Sequence, residues 1–186
     1  MKTILICGSR NLNGQTAKAA GAVMKGLAKA GASSEQVFLT TLKLERCRQC
    51  DDDGWGLCRK QGRCVIDDDF SGLVEKIRQA DAVVFTTPVY YSDLSESLYA
   101  FTDRLRRICM HQAGYVSIKG KPAIGICVAG GSGGGSVVCC VSLEKVMTYC
   151  GLDVVDMIPV RRQNLQAKLP ALELAGQWLA SEPGSG

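Results

Sequence analysis

The sequence predicts an α/β domain built on a parallel β-sheet. Three observations carry that expectation. Short apolar runs of strand length recur along the chain. Amphipathic helical patterns lie between them. The runs end in loops rich in glycine and hydroxyl residues. The 186 residues suit one domain, since a typical domain has ~100–200. A single domain over 1–180, with a frayed tail at 181–186, is expected.

The elements follow in order. Thr3–Cys7 is a continuous apolar run, as in a strand covered on both faces. Thr16, Ala20, Val23, Leu27 and Ala30 then recur at helical spacing, and Gly31 is a natural stop. Gln36–Leu39 is a weaker strand. Asp67, Asp68 and Asp69 suit the start of a helix carrying Phe70, Leu73, Ile77 and Ala80. Ala82–Thr86 is the third strand, and Leu98, Phe101, Leu105 and Ile108 form the next helical stripe. Pro122–Val128 is the fourth strand. Val137, Cys140, Leu143, Met147 and Cys150 mark a helix stopped by Gly151. Val154–Val160 is the fifth strand, and 172–179 a short last helix. Five strands alternating with five helices imply right-handed crossovers and a ligand site at the carboxyl ends of the strands.

Composition excludes several classes. Hydrophobic residues make up 46% and charged residues 22%, so the chain is not disordered. A net charge of +4, dispersed along the chain, argues against nucleic acid. No run approaches the ~18–20 apolar residues of a membrane helix, and the first apolar run is too short for a signal peptide. A cytoplasmic protein with reduced thiols is therefore expected. There, the 10 cysteines against one histidine point to metal or redox chemistry rather than disulfides.

The loop after the first strand reads Gly8-Ser9-Arg10-Asn11-Leu12-Asn13-Gly14-Gln15-Thr16. Small and hydroxyl residues at a helix N-terminus make an anion site, against the plainer reading of a capped polar turn. Gln15 stands where a Walker A loop needs lysine, and the dinucleotide fingerprint is missing. A phosphate without metal-dependent transfer chemistry, such as that of FMN, fits better. The loop after the third strand contains Pro88, Val89, Tyr90, Tyr91 and Ser92; its tyrosines could border a flat heteroaromatic ring or simply cover the sheet end. The loop after the fourth contains Gly130, Gly131, Gly133, Gly134 and Gly135, which permits close ligand approach.

Together these loops resemble those of the flavodoxin-like, NADPH-dependent FMN reductase family. Gly8–Thr16 aligns without a gap to its phosphate loop, Pro88-Val89-Tyr90 with Asp103-Arg104 to its second motif, and Gly130–Gly135 to its glycine turn. The resemblance implies a flavodoxin-like three-layer sandwich with a five-stranded parallel sheet of order 2-1-3-4-5. It implies bound FMN, with Ser9, Arg10, Asn11, Asn13, Gly14, Gln15 and Thr16 at the phosphate. Pro88–Ser92 and Gly130–Gly134 would flank the ring. It also implies a homodimer or homotetramer. Arg10, Asn11 and Asp93 depart from the family pattern. The donor would be NAD(P)H or a ferredoxin-like protein, and the acceptor a small molecule or a protein. No catalytic acid or base is assigned, because flavin hydride transfer requires none from the protein.

Cys47, Cys50, Cys58 and Cys64 follow the spacing Cys-x2-Cys-x7-Cys-x5-Cys. Four thiolates can close around zinc or an iron–sulfur cubane; reduced loop thiols without metal are the plainer reading. Gly62-Arg63-Cys64-Val65-Ile66-Asp67-Asp68-Asp69 resembles the end of the cysteine motif of iron–sulfur flavoproteins. That resemblance favours a [4Fe–4S] cluster, with zinc or no metal as alternatives. The remaining six cysteines lie in apolar runs and read as packing residues. Asp51–Asp53 reads as a solvated turn, and Trp55 as a cover for a cofactor or a loop anchor. His111 has no evident Ser or Cys partner for a hydrolase triad. A non-enzymatic electron carrier, a redox sensor and a zinc-stabilised fold without flavin are the rivals to a flavin oxidoreductase.

Overall fold

Five strands pair into one parallel sheet in the computed structural model, which describes residues 1–181. The centre is formed by β1 (Lys2–Cys7), β3 (Ala82–Pro88) and β4 (Pro122–Ala129), buried almost throughout. β2 (Ser33–Phe38) and β5 (Asp153–Arg161) are the edges. The order is β2-β1-β3-β4-β5 and every neighbouring pair is parallel. This is the flavodoxin-like order.

Two strands differ from expectation. β2 begins three residues before Gln36, because its limits follow pairing with β1, from Lys2 opposite Ser33 to Cys7 opposite Phe38. Leu39, expected in the strand, instead opens a short 3-10 turn. β5 was expected to be covered on both faces but is half exposed, because it has only one strand neighbour.

The helices are α1 (Gln15–Lys29), α2 (Leu57–Gln61), α3 (Phe70–Gln79), α4 (Glu96–Ile108), α5 (Gln112–Tyr115), α6 (Ser136–Tyr149) and α7 (Leu165–Ser181). One core joins α3, α4 and α6 to a face of the sheet through Leu73, Ile77, Phe101, Leu105, Leu143 and Met147. The other joins α1 and α7 to the opposite face through Ala20, Val23, Leu27, Leu172 and Leu179. The result is three layers.

The one-turn helices α2 and α5 were not expected. α7 starts seven residues before Leu172, although Pro170 lies inside it. Pro170 is the sixth residue of the helix and removes one internal hydrogen bond, to the Gln166 carbonyl; packing of Leu165, Leu169 and Leu172 in the core shared with α1 offsets that loss. The two helices cross at Gly26 and Gly176. A Cβ on Gly26 would collide with the Glu173 carbonyl, and one on Gly176 with the Val23 carbonyl. Of the expected tail, Ser181 closes α7; residues 182–186 lie outside the described residues. No helix among the described residues is long and apolar enough to cross a membrane.

Candidate functional site

The carboxyl ends of β1, β3 and β4 enclose a cleft of about 730 Å³. It lies beside the point where strand order reverses, between β1 and β3. From the β1–α1 loop it is lined by Ser9, Asn11, Gly14, Gln15 and Thr16. The β3–α4 loop adds Pro88, Val89, Tyr90, Tyr91 and Ser92, and the β4–α6 loop adds Gly130, Gly131 and Gly134. Val128, Ser132 and Gly135 complete it. Arg10 borders a neighbouring cleft, and Asn13 and Gly133 do not line this one.

Local hydrogen bonds shape the first loop. The Asn11 amide donates to the Ser9 hydroxyl at 3.1 Å, and that hydroxyl donates to the Asn11 carbonyl at 3.2 Å. The Asn13 amide donates to Asn11 Oδ1 at 3.0 Å. Gly14 caps α1 without any side-chain hydrogen bond. The first amides of a 15-residue helix are thus free to meet an anion. Gln15 Oε1 is buried and has no hydrogen-bond partner.

The tyrosine loop is a tight turn. The Tyr90 amide donates to the Asp93 carbonyl and the Asp93 amide to the Tyr90 carbonyl, each at 2.9 Å. Tyr91 and Ser92, the two central residues, have φ of 50° and 65°. Positive φ at both positions is the type I′ geometry, and it strains residues other than glycine. The turn leaves Tyr90 half exposed and Tyr91 fully exposed. Asp93 anchors it. Burial works to raise the Asp93 pKa, but the Tyr99 hydroxyl and the Leu94 amide outweigh it and hold the carboxyl low. Burial and the same contact push the Tyr99 phenol well up.

The glycine loop reaches the tyrosine turn at Gly135. Its φ is +81°, and a Cβ there would collide with Ser92. Gln163 braces the loop from behind, donating to the carbonyls of Gly131 at 3.3 Å and Ser132 at 3.0 Å. Hydroxyls knit the other two loops together. The Ser95 amide donates to Thr87 Oγ1 at 3.1 Å, and Ser97 donates to the Gly8 carbonyl at 2.9 Å. These supports were missed from sequence. Ser95, directly before a helical stripe, carried an N-cap signal; Gln163 carried none.

The cysteine group occupies a second pocket. Cys47, Cys50, Cys58 and Cys64 all line it, together with Leu57, Ile66, Arg104, Arg107 and Ile108. Cys58 rides on α2, whose C-cap Gly62 sits against α5. The loop is pinned at its base. The Lys43 amide donates to Asp69 at 2.7 Å and the Glu45 amide to Asp68 at 2.8 Å. Arg104 grips both Asp68 oxygens at 2.6 and 2.8 Å, with both side chains essentially unexposed. Asp68 was expected to serve a helix start. It does accept from the Phe70 amide at 3.2 Å, yet its larger partner is Arg104. Burial works to raise the Asp68 pKa, but Arg104 and the two amides outweigh it and hold the carboxyl below its usual range.

Trp55 lies under the Arg107 guanidinium at 4.1 Å, as a loop anchor would. Asp51 and Asp53 pair with Lys60 and Arg59 at the surface. Cys7, Cys109, Cys127, Cys139, Cys140 and Cys150 are all buried. His111 accepts from the Ala113 amide and caps α5.

Comparison with known proteins adds to this geometry. A family model described as NADPH-dependent FMN reductase matches residues 1–166. An iron-sulfur flavoprotein of Methanosarcina thermophila is 30% identical over 155 residues, which cover 83% of this chain and 77% of that protein. An iron-sulfur flavoprotein of Archaeoglobus fulgidus is 32% identical over 105 residues, 56% of this chain and 46% of its own length. The match thus spans about half of that second relative. Among solved structures, an NAD(P)H:quinone oxidoreductase from Methanothermobacter marburgensis has a TM-score of 0.68 at 20% identity, covering 98% of this chain and 97% of that one. At that identity the likeness shows the shared fold.

Proposed function

The chain belongs to the NADPH-dependent FMN reductase family, and from that membership we propose that it is an oxidoreductase holding FMN in the cleft at the ends of β1, β3 and β4. The observation that carries this reading is the convergence of three loops of different chemistry at the strand-order reversal, where such sheets bind ligands. The residues present fit the group. Free α1 amides with the hydroxyls of Ser9 and Thr16 suit a phosphate. The unpartnered Gln15 Oε1 suits a sugar-chain hydroxyl. The tyrosine turn and the bare glycine loop suit the borders of a flat ring.

When bound, FMN would supply the redox chemistry, hydride and electron transfer. The chain's own work is to bind and orient. The hydroxyl network of Thr87, Ser95 and Ser97 holds the tyrosine loop in register with the phosphate loop. Gln163 holds the glycine loop. NAD(P)H is the donor in this reading, and a quinone-like molecule or a protein the acceptor. An exposed apolar stripe on α6, formed by Val137, Val138, Val141 and Tyr149, supports a homo-oligomer.

The four loop cysteines hold a [4Fe–4S] cluster in the same reading. Their shared pocket supports it. Among the described residues, no group of three or more His, Cys, Asp or Glu side chains is arranged to hold a metal ion, so the reading rests on the donor set of four cysteines, which suits an iron–sulfur cluster and also zinc.

Anaerobic purification, absorbance spectroscopy and metal analysis test both cofactors. Flavin bands, a broad iron–sulfur shoulder and about four iron atoms per chain are expected. A protein that takes up no FMN when titrated with it sinks the central reading. Flavin bands with zinc, or with no metal, sink the cluster. Steady-state NADPH oxidation separates an enzyme from a passive carrier.

A further inference from the structure

Two arginines of α4 line the pocket of the four cysteines. Arg104 is 2% exposed, donates to both Asp68 oxygens and gives a third bond to the Glu45 carbonyl at 3.0 Å. Its Nε is buried with no acceptor. Arg107 donates to the Gly54 carbonyl and stacks over Trp55. Its Nε is also buried without an acceptor, and no carboxylate pairs with it among the described residues. Arg107 is only partly buried, but a buried N–H without an acceptor is costly unless some group meets it. Arg104 has Asp68 for that purpose. Arg107 has no carboxylate, and the pocket it lines brings the four cysteine sulfurs together with one further arginine, Arg48, which pairs with Glu45.

We infer that Arg107, with the Arg104–Asp68 pair beside it, forms a cationic wall that stabilises the more reduced state of the cysteine-held centre and so sets its potential. The inference rests on the cluster reading above. Adding an electron makes a tetrathiolate cluster more negative. A positive charge beside the cluster then favours the reduced form. An N–H that met a cluster sulfur would act in the same sense, because hydrogen bonds and net charge are the protein's means of tuning such clusters. Arg104 contributes mainly its spare donor, since Asp68 cancels most of its charge. Arg107 contributes net charge. Both act through the cluster's surroundings and are positioning residues.

The test is an anaerobic redox titration of the iron-loaded protein, followed by electron paramagnetic resonance and absorbance. The variants are Arg107→Lys, Arg107→Gln and Asp68→Asn. At the wild-type midpoint, Arg107→Gln should lower the ratio of reduced to oxidised cluster at least tenfold, about 59 mV for a one-electron couple. Arg107→Lys should stay near wild type, because it keeps the charge. Asp68→Asn should raise the ratio, because it uncovers the charge of Arg104. FMN content, read on the same samples, should stay constant and reports folding.

A purely structural role for Arg107, holding Trp55 and Gly54, predicts instead that Lys fails as Gln does; that result overturns the inference. Equal potentials in all variants overturn it too, and leave the cluster reading standing. A wild-type protein without iron overturns both. Should Asp68→Asn fail to fold, the Arg107 series decides alone.

Discussion

At the mouth of α1 the hydroxyls of Ser9 and Thr16 border the cleft beside amides that no side chain caps. A hydrogen bond to a charged group contributes about 1.5–3 kcal/mol. Thr16→Ala or Ser9→Ala should therefore weaken FMN binding on the order of 10- to 100-fold in a fluorescence titration. Unchanged affinity in both variants would remove the phosphate from this loop. Other residues serve the cleft through conformation. Tyr91 and Ser92 occupy left-handed backbone, where each non-glycine residue costs about 1–3 kcal/mol. Gly135 packs directly against this turn, and its missing Cβ is the space Ser92 occupies.

Among the elements, the cysteine loop has the least regular structure and the most explicit anchor. Lys43 and Glu45 are tied to Asp69 and Asp68 at the start of α3, and Asp68 is tied in turn to Arg104 in α4. Removing one partner of a buried pair costs about 3–5 kcal/mol. Asp68→Asn should lower stability by that order in urea unfolding at pH 7. The sign with pH follows from the depressed Asp68 pKa. Its contribution is fully present above the unfolded carboxylate range and is lost as pH falls through the folded value. The gap between wild type and variant should therefore close in acid. A gap that stays constant down to pH 2 would show that the ion pair is not its source.

Across the molecule, the two faces of the sheet divide the labour. α1 and α7 cover one face, pressed together at Gly26 and Gly176. α3, α4 and α6 cover the other. α6 mixes apolar residues with Glu144, Lys145 and Thr148 on its exposed side. Its outer residues Val137, Val138, Val141 and Tyr149 are each about 60% exposed. Paired Val138→Lys and Val141→Lys substitutions should shift a wild-type dimer or tetramer toward monomer in sedimentation velocity. A monomeric wild type would end that reading.

The sequence by itself determined the strand–helix alternation, the buried character of β1, β3 and β4, and the three loops that share one edge. These are legible because burial on both faces writes continuous apolar runs, and because strand ends bring distant loops together by topology alone. Six packing cysteines were legible for the same reason, as small apolar residues on apolar faces. The limits of β2 were not, because its register comes from β1 and its own residues are mostly polar. The early start of α7 was hidden by Pro170, whose local penalty is outweighed by contact with α1. Only the tertiary structure decided that Arg10 faces a neighbouring cleft, that Gln163 braces the glycine loop, and that Asp68 meets Arg104 beneath four cysteines. Each joins residues far apart in the chain, and no local periodicity or propensity encodes a contact across that distance.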